Sequence, residues 1–416
     1  MTVLVVGASH LSIAYGLFMS NKGIRVSFWD PAIELNHDAM LQIVNSLEEP
    51  GIVGTYIDNS SSIDFLNELD SLTKFELVLV ALDTQTNSNN IPDYGQIESA
   101  LNAISHRNYS QIPVIVLSQV YPGFTRSFCT EFPLFHMVET LVFGEALKRL
   151  DDLEIFLVGV ETATQSHPEL PSFFSSLFTI SPNYVNYESS ELAKISINVI
   201  IGFQILAANL LADIAEQSNA NWASIEPILR NDRRIGKNAY IRPEVGFLGD
   251  NIPRDFAVLS KLFGETNLAN ARRFISEAIL FNSSLISWIT DKISEVNSNL
   301  KFQRIGLLGI AYKQGTSSIK NSVASTLSKL LDNYTLEIYE PGDTSKLEYL
   351  DGHEVVREFK IFLESSDVIV VCRRDSRFGE LITSALDSHI VLDPFRNIPL
   401  DDFASIHPNY KTRGKR

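Results

Sequence analysis

Cysteine is nearly absent from this sequence, and its scarcity excludes a disulfide-rich scaffold. Cys129 and Cys372 are the two cysteines among 416 residues, and they lie far apart without metal-ligand spacing. Free thiols in so small a number fit a reducing compartment, so we expect the protein to be cytoplasmic. The eight histidines are scattered and form no H-x-x-x-H pair, so the sequence predicts no metal site.

Basic residues are also few relative to acidic ones. The chain has 34 Lys and Arg against 50 Asp and Glu, a net charge of −16. Nucleic acids and anionic membranes attract basic surfaces, so we expect neither as a partner. The amino terminus, Met1–Gly7, lacks the basic region of a signal peptide and is typical of a buried strand. The run Ile195–Ile214 is apolar enough for a membrane span, but Asn198, Gln204 and Asn209 interrupt it, and we predict a buried helix.

Apolar strand-like runs alternate with helix-length segments in the first part of the chain. Hydrophobic residues make up 45% of the sequence, which is enough for sizeable cores. Strand–helix alternation is typical of a parallel, doubly wound sheet. The predicted strands are Val3–Val6, Arg25–Trp29, Leu77–Leu82 and Pro113–Leu117, and the clearest helices are Leu11–Asn21 and Tyr94–Ser105.

A long helical pattern follows, and then a second α/β pattern. From Glu191 to Arg304 there is no strand candidate, and a stripe predicted to face the core is formed by Ile195, Val199, Phe203, Leu206, Leu210 and Ile214. The second α/β pattern starts at Ile305–Gly309 and ends before a basic tail, Lys411–Arg416, which we expect to be a solvated terminus. The fold class is therefore α/β, with two Rossmann-like doubly wound parallel-sheet domains joined by a central helical region. The predicted domains are residues 1–184, 185–298 and 299–416.

The loop after the first strand has part of a dinucleotide-binding motif. That motif is G-x-G-x-x-G, followed about 20 residues later by an acid for the ribose hydroxyls. Here the loop reads Gly7-Ala8-Ser9-His10-Leu11-Ser12, and Asp30 ends the second strand. Ser9 could donate its hydroxyl to a phosphate at the helix start. Two interpretations stay open: a nicotinamide dinucleotide bound by Gly7, Ser9, His10, Leu11 and Asp30, or a Rossmann fold that has lost its ligand.

The most specific pattern lies in the helical region. It reads Gly246-Phe247-Leu248-Gly249-Asp250-Asn251-Ile252-Pro253-Arg254-Asp255. This segment resembles G-x-G-G-S-C-F-P-K-D, the active-site segment of the UDP-glucose/GDP-mannose dehydrogenase family. Asn251 stands where that family has its nucleophilic cysteine, and an amide cannot form a thiohemiacetal or a thioester. Arg254 replaces the lysine, and Asp255 is unchanged.

Other segments resemble the same family in the same order along the chain, with two more departures at its active site. Gln119 replaces a catalytic-site threonine, and Phe143 replaces a glutamate that assists thioester hydrolysis. Towards the carboxyl end, Ser317 and Ser318 replace acids, and Lys320 replaces an arginine. The similar segments are Glu49–Ile52, Asp83–Gln85, Ser118–Gly123, Val138–Gly144, Glu191–Asn198, Asp232–Gly236, Gly309–Lys313 and Asp393–Asn397.

The resemblance implies ligands, partners and roles for individual residues. Members of the family oxidise the C6 alcohol of a nucleotide sugar to a carboxylate with two NAD molecules, so we expect NAD as cofactor (NADP is the alternative), a UDP-linked sugar as substrate, and a homodimer formed through the helical region. The residues with implied catalytic roles are Lys194, Asn198 and Asp255, with Asn251 as a hydrogen-bond donor. The cofactor site would include Thr84 and Gln119, and the substrate site Glu139, Arg234, Gly246, Arg254 and Lys313.

The departures change the expected reaction. Without the thiol and the assisting carboxylate, the four-electron oxidation to a uronate is not expected, whereas a single hydride transfer needs only orientation, a proton acceptor and alkoxide stabilisation. Two alternatives stay open: a catalytically silent member that binds a nucleotide sugar or a partner protein, and an oxidoreductase with another class of substrate. Each residue also has a structural interpretation: a Lys194–Asp255 ion pair, a core hydrogen bond for Asn198, and solvated surface positions for Arg234 and Lys313.

Overall fold

The computed structural model describes most of the chain. The described residues are 1–47, 49–107, 111–128, 132–164, 167–264, 268–316, 318–341, 353, 355–399 and 406–415. Cys129 and Ser317, which figure in the sequence analysis, lie outside the described residues. The chain divides into two compact units, Met1–Ile197 and Asn198–Arg416, and the boundary falls inside a long helix.

The first unit is built on an eight-stranded sheet in the order β10-β9-β8-β7-β4-β1-β2-β3. Its strands are β1 (Thr2–Val6), β2 (Arg25–Trp29), β3 (Ile63–Phe65), β4 (Leu77–Val80), β7 (Val114–Val116), β8 (Leu134–Met137), β9 (Leu157–Val160) and β10 (Asn183–Asn186), and β5 (Gln85–Thr86) and β6 (Pro92–Asp93) form a separate hairpin. All neighbours in the large sheet are parallel except β8 and β9, which are antiparallel and depart from the predicted all-parallel pattern. Because β1 lies between β2 and β4, the winding reverses there, and a crevice opens at the carboxyl ends of β1 and β4.

Helices cover this sheet, and their packing explains why β1 is so apolar. Val3, Leu4, Val5 and Val6 are fully buried, as expected for a parallel strand covered on both faces. One helix approaches β2 closely, because a Cβ atom on Gly16 would lie 2.3 Å from the ring of Phe28. The helices are α1 (His10–Asn21), α2 (His37–Ser46), α3 (Ile52–Asn59), α4 (Gly95–Ser105), α5 (Ala146–Asp151) and α6 (Ser172–Ser175).

The second unit has a six-stranded parallel sheet and a group of helices. Its strand order is β13-β12-β11-β14-β15-β16, formed by β11 (Arg304–Leu308), β12 (Thr335–Tyr339), β13 (Val355–Val356), β14 (Val368–Val371), β15 (Ile390–Leu392) and β16 (Tyr410–Lys411). The helices are α7 (Tyr187–Gln217, which begins in the first unit), α8 (Trp222–Leu229), α9 (Asn251–Gly264), α10 (Ala269–Ser284), α11 (Ser287–Leu300), α12 (Val323–Leu330), α13 (Phe359–Glu364) and α14 (Phe378–Ala385). The architecture is the predicted one: two Rossmann-like α/β sheets with a helical region between them in the sequence.

Helix α7 is less buried than the sequence predicted. Ile195, Val199 and Leu206 are buried, but Leu210 and Ile214 are 50% and 52% exposed, so the predicted core-facing stripe is wrong at its end. The reason is geometric, because each residue of an α-helix advances the rotation about its axis by about 100°. Over the 19 steps from Ile195 to Ile214 the rotation is about five full turns plus 100°, so Ile214 no longer lies on the same face as Ile195. The later buried positions are instead Asn209, Ala212 and Ala215.

The length and composition of α7 also meet the requirement for a membrane span. It has 31 residues, and 33% of its most apolar window is buried. No other helix in the described ranges meets that requirement. A single helix of this kind also occurs in the cores of proteins outside membranes.

Residues 412–414 of the carboxyl-terminal tail are packed into the second unit, so the prediction of a solvated terminus is wrong there; Lys411 is exposed as predicted, and Arg416 lies outside the described residues. The guanidinium of Arg413 is buried, donates to the carbonyl oxygen of Glu244 at 2.9 Å, and pairs with the carboxylate of Asp213 on α7. The backbone N–H of Gly414 donates to the carboxylate of Glu216, and its carbonyl oxygen accepts from the backbone N–H of Trp222. Arg413 and Gly414 therefore pack against α7 and α8.

Replacing the tail arginine should destabilise the second unit. Arg413→Met removes a buried cation whose partner Asp213 is partly exposed, and we expect a loss of about 2–4 kcal/mol in the free energy of unfolding. Urea titration followed by circular dichroism measures this loss. Lys411→Ala is the matched control, because Lys411 is an exposed cation two residues earlier, and it should change stability by less than about 0.5 kcal/mol. Equal stabilities for both variants would contradict the assignment.

Candidate active site

The loop after β1 is shaped by one glycine and one serine. Gly7 has φ +116°, and a Cβ atom there would lie 2.9 Å from the carbonyl oxygen of Ala81 at the end of β4. Ser9 caps α1: its Oγ accepts from the backbone N–H of Ser12 at 3.1 Å and donates to the Ala81 carbonyl at 2.6 Å. The Ser9 hydroxyl is therefore directed into the protein, and the idea that it donates to a phosphate is not supported by this geometry.

The start of α1 presents two backbone donors instead. Neither the N–H of His10 nor that of Leu11 is hydrogen-bonded to another of the residues that the structure describes. Free N–H groups at the start of a helix, together with the helix dipole, favour a bound phosphate. The loop thus keeps a phosphate-binding capacity that depends on backbone atoms and not on the missing glycines.

Asp30 lies at the end of β2, where a ribose-binding acid is expected. One carboxylate oxygen accepts from the backbone N–H of Ala8 at 3.0 Å, and the other accepts from Ala32 and Ile33 at 2.8 and 3.2 Å. An ionised carboxylate has about four acceptor positions, so capacity for a ribose hydroxyl remains. The backbone donors of α1 and this carboxylate together fit a nicotinamide dinucleotide.

Two other predicted cofactor residues meet at the carboxyl edge of the same sheet. Thr84 follows β4, Gln119 follows β7, and the Thr84 hydroxyl donates to the Gln119 carbonyl at 2.5 Å. Neighbouring parallel strands β4 and β7 bring the two loops together at this edge. The structure therefore assembles the predicted cofactor loops of β1, β4 and β7 along one crevice.

Lys194 on α7 is held by Glu139. Its ammonium group donates to the Glu139 carbonyl at 2.5 Å and lies 3.2 Å from the Glu139 carboxylate. Both side chains are largely buried, 17% and 12% exposed. The backbone N–H of Leu141 also donates to that carboxylate. A predicted catalytic residue and a predicted substrate residue are thus direct partners within the first unit.

One turn earlier on α7, Glu191 organises the loop that follows β7. Its buried carboxylate accepts from the backbone N–H groups of Gly123 and Thr125, at 2.5 and 2.8 Å. Burial raises the pKa of the Glu191 carboxyl. Glu191 thus holds the Ser118–Gly123 segment against α7, a role that the sequence analysis did not assign.

In the second unit, Asp255 forms the centre of a buried polar group. The Asn198 amide donates to one carboxylate oxygen at 2.6 Å, and the Arg254 guanidinium donates to the other at 3.2 Å. Asp255 is fully buried and Arg254 nearly so. Three predicted site residues are therefore joined by hydrogen bonds, which fixes the Asn198 amide in one orientation.

Asn251 is the first residue of α9, and its side chain is exposed. The turn before it needs glycine, because Gly249 has φ +71° and a Cβ atom there would lie 2.5 Å from the Tyr312 ring. The amide of Asn321 donates to the Gly249 carbonyl at 2.9 Å. The loop after β11 thus holds the turn that presents Asn251.

The same loop supplies two lysines. Lys320 lies 3.2 Å from the carboxylate of Asp250, the residue before Asn251. Lys313 lies five residues after the end of β11, and its ammonium group is over the Tyr312 ring, 5.9 Å from the centroid. Burial raises the pKa of Tyr312 to about 12, so this phenol stays neutral in the physiological range.

The two remaining predicted substrate residues differ in character. Gly246 is required by packing, because a Cβ atom would lie 2.3 Å from the side-chain oxygen of Asn282, which accepts from the next backbone N–H. Arg234 is 88% exposed and binds only Asp232 of its own turn within the described ranges. This exposure agrees either with a solvated side chain or with one that is available to bind a ligand.

The sequence analysis missed a buried ionic cluster at the corresponding place in the second sheet. Glu340 directly follows β12, and its carboxylate accepts from the backbone N–H of Ile310 at 2.9 Å, as that of Asp30 does from Ala8. In this domain the Glu340 carboxylate is bound by two guanidinium nitrogens of the buried Arg373. One of these nitrogens also lies 2.7 Å from a carboxylate oxygen of Asp375. A signal existed: Tyr339-Glu340-Pro341 repeats the pattern of Trp29-Asp30-Pro31.

Two models from one protein family match separate parts of this chain. Residues 188–284 match the central domain of the UDP-glucose/GDP-mannose dehydrogenase family, and residues 306–398 match its UDP binding domain. The UDP-glucose 6-dehydrogenase of Rickettsia conorii is 23% identical over 433 residues, covering 96% of this chain and 95% of the relative. The enzyme of that name from Campylobacter jejuni is 25% identical over 402 residues, covering 92% and 96%.

Solved structures agree on the fold. A UDP-glucose dehydrogenase from Pyrobaculum islandicum superposes with a TM-score of 0.82 at 19% identity, covering 99% of this chain and 96% of that one. A UDP-D-ManNAc dehydrogenase from Pyrococcus horikoshii gives 0.81 at 18% identity, covering 100% and 99%. The arrangement of two α/β sheets and a helical region therefore occurs in both proteins.

Proposed function

Because the chain belongs to the UDP-glucose/GDP-mannose dehydrogenase family, we propose that it is an oxidoreductase that acts on a nucleotide sugar in one two-electron step. The observation that carries this proposal is the contrast within one short segment. Asp255 stays buried and hydrogen-bonded to Asn198, whereas Asn251, at the position of the nucleophile, is an exposed amide. The residues that assist alcohol oxidation are therefore kept, whereas the nucleophile that thioester chemistry requires is missing.

In this reaction a C–H bond and an O–H bond of the sugar alcohol break, and a carbonyl forms. A bound nicotinamide would accept the hydride. The ammonium group of Lys194 stabilises the developing alkoxide, and the Asn198 amide orients the reacting hydroxyl. The proton of that hydroxyl is transferred to water. Asp255 is a positioning residue for that amide. Asn251 donates a hydrogen bond but makes no covalent intermediate, and Phe143 supplies no base, so the reaction stops at the carbonyl.

The cofactor in this proposal is NAD. The side chain of Asp30 accepts three backbone hydrogen bonds at the edge where the adenosine ribose would lie. A carboxylate there accepts ribose hydroxyls and repels a 2′-phosphate, which favours NAD over NADP. The substrate is a UDP-linked sugar, because residues 306–398 match a UDP binding domain.

The proposal also includes a cytoplasmic homodimer. In the second unit, α7 and α10 expose large apolar side chains, namely Ile200, Leu210, Leu211, Ile214, Phe274 and Leu280. Exposed apolar surface of this extent usually marks an interface. Light scattering should give twice the chain mass of 46.5 kDa.

The test uses purified full-length protein with NAD or NADP and a panel of nucleotide sugars. Absorbance at 340 nm follows the forward reaction with an aldehyde trap, and the reverse reaction uses NADH and the 6-aldehyde forms of the same sugars. A change with a UDP-linked sugar supports the proposal. No change with any compound, together with calorimetric binding of a UDP-sugar, would instead support the catalytically silent alternative.

A further inference from the structure

Phe143 makes a specific contact in place of the carboxylate that the family has at its position. Its ring stacks on the imidazole of His10, with centroids 4.1 Å apart and an interplanar angle of 18°. His10 is the first residue of α1, and its own backbone N–H is one of the two donors in the proposed phosphate site. The residue that replaces a catalytic group therefore lies against the cofactor loop.

Glu49 holds the other side of this contact. Its carboxylate is buried and lies 2.9 Å from Nε2 of His10. The same carboxylate accepts from the backbone N–H groups of Gly144 and Ala146, at 2.8 and 2.9 Å. Glu49 thus links the imidazole to the segment that carries Phe143. The Phe143 ring contacts one face of the imidazole, and the Glu49 carboxylate contacts its Nε2 edge.

The tied segment also leads to the proposed catalytic lysine. Four residues before Phe143, Glu139 holds Lys194 through its carbonyl and its carboxylate. The segment from Glu139 to Ala146 is therefore fixed at one end by Lys194 and at the other by Glu49 and His10.

We propose that His10, Glu49 and Phe143 form a clamp that positions the backbone donors of His10 and Leu11 for the cofactor pyrophosphate. This inference rests on the proposed function, because it assumes that a dinucleotide binds there. With the imidazole held by the ring and by Glu49, the loop is ordered before the ligand arrives, and less conformational freedom is lost on binding. The three residues are positioning residues, and the substitution at position 143 adds a binding role as it removes a chemical one.

The test compares Phe143→Leu with Phe143→Tyr by fluorescence titration of NADH. Leucine removes the ring but keeps an apolar side chain, and we expect the Kd for NADH to rise about two- to twelvefold, the range that one aromatic stacking contact contributes. Tyrosine keeps the ring and should restore the wild-type Kd. Val142→Ala is the matched control, because Val142 is the adjacent residue and is similarly exposed, at 41% against 36% for Phe143.

Melting temperatures separate positioning from stability. A clamp effect changes the Kd of Phe143→Leu while its melting temperature without ligand stays close to that of Val142→Ala. If the wild type binds NADH and Phe143→Leu binds it equally well, the clamp is wrong and the proposed function stands. If Val142→Ala weakens binding as much, the clamp is also wrong. If the wild type binds neither NADH nor NADPH, the proposed function fails, and the clamp fails with it.

Discussion

Lys194→Met should lower the rate of hydride transfer about 100- to 1,000-fold, the usual loss when one donor to a developing oxyanion is removed. Lys194 is largely buried and is held by two contacts to Glu139, so its ammonium group is oriented before the substrate binds. Stopped-flow measurement of NADH formation at saturating substrate isolates this step. The Kd of the sugar nucleotide should change little, because the alkoxide develops only in the transition state.

Two further variants show whether the effect belongs to the charge at this position. Lys194→Arg keeps the charge and should recover part of the rate, and Lys148→Met removes an exposed lysine of the same unit and should leave the rate unchanged. A Lys194→Met protein that turns over within threefold of the wild type would remove Lys194 from the chemistry. The lysine would then be only the structural partner of Glu139.

Arg373→Met should destabilise the protein by about 3–5 kcal/mol, because it removes the buried cation that binds Glu340 and Asp375 and leaves these buried carboxylates with the more exposed Arg377. Arg373 is 2% exposed and lies between Glu340 and Asp375, which are 7% and 2% exposed. Urea titration at pH 7 measures the change. Arg304→Met is the matched control: Arg304 forms an exposed pair with Asp367, and its loss should cost about 0–1 kcal/mol.

The cost of Arg373→Met should also depend on pH. Burial raises the pKa of Asp375, but hydrogen bonds from Arg377 and Arg373 outweigh that effect and hold it below its usual range. A lowered pKa in the folded state stabilises the protein above the unfolded-state value, about 3.9 for aspartate, and the stabilisation is lost as the pH falls further. The difference between wild type and variant should therefore shrink below about pH 4. A difference that is constant from pH 7 to pH 3 would contradict the ionic assignment.

The sequence predicted local and periodic features well. β2 was predicted with its observed ends, and the position of Asp30 at its carboxyl end followed from the length of that strand. The segment Gly246–Asp255 identified the family because its glycines and Asp255 have strict packing roles. The strand depends on neighbouring residues, which a sequence displays directly, and the segment was recognisable from its residue pattern although its packing partners, such as Tyr312 and Asn198, lie far away in the sequence.

Features that depend on distant residues were missed or wrong. Nothing near Arg413 in the sequence indicates that its guanidinium is buried against Asp213, 200 residues earlier. The partners of Arg373 lie 33 residues away at Glu340 and two residues away at Asp375, and only the fold brings all three together. On α7, the apolar content was visible, but the side facing the core depended on a rotation that builds up along the helix.

The departures from the family pattern also have different physical meanings in the structure. Ser9 directs its hydroxyl inward and leaves backbone donors to serve a phosphate. Phe143 replaces a charge with a ring that stacks on His10. Asn251 keeps a polar side chain at the start of α9. Together they are what we expect of a site that keeps hydride transfer and has lost thioester hydrolysis.

The stoichiometry of the reaction is the most direct test of this account. Purified protein would be incubated with NAD and a UDP-linked sugar, with an aldehyde trap present, and NADH and the sugar products would be quantified by absorbance and mass spectrometry. The account predicts one NADH for each sugar consumed, with trapped aldehyde and no uronate. Two NADH for each sugar, with a uronate as product, would show that Asn251 and Phe143 do not prevent the second oxidation and would contradict it.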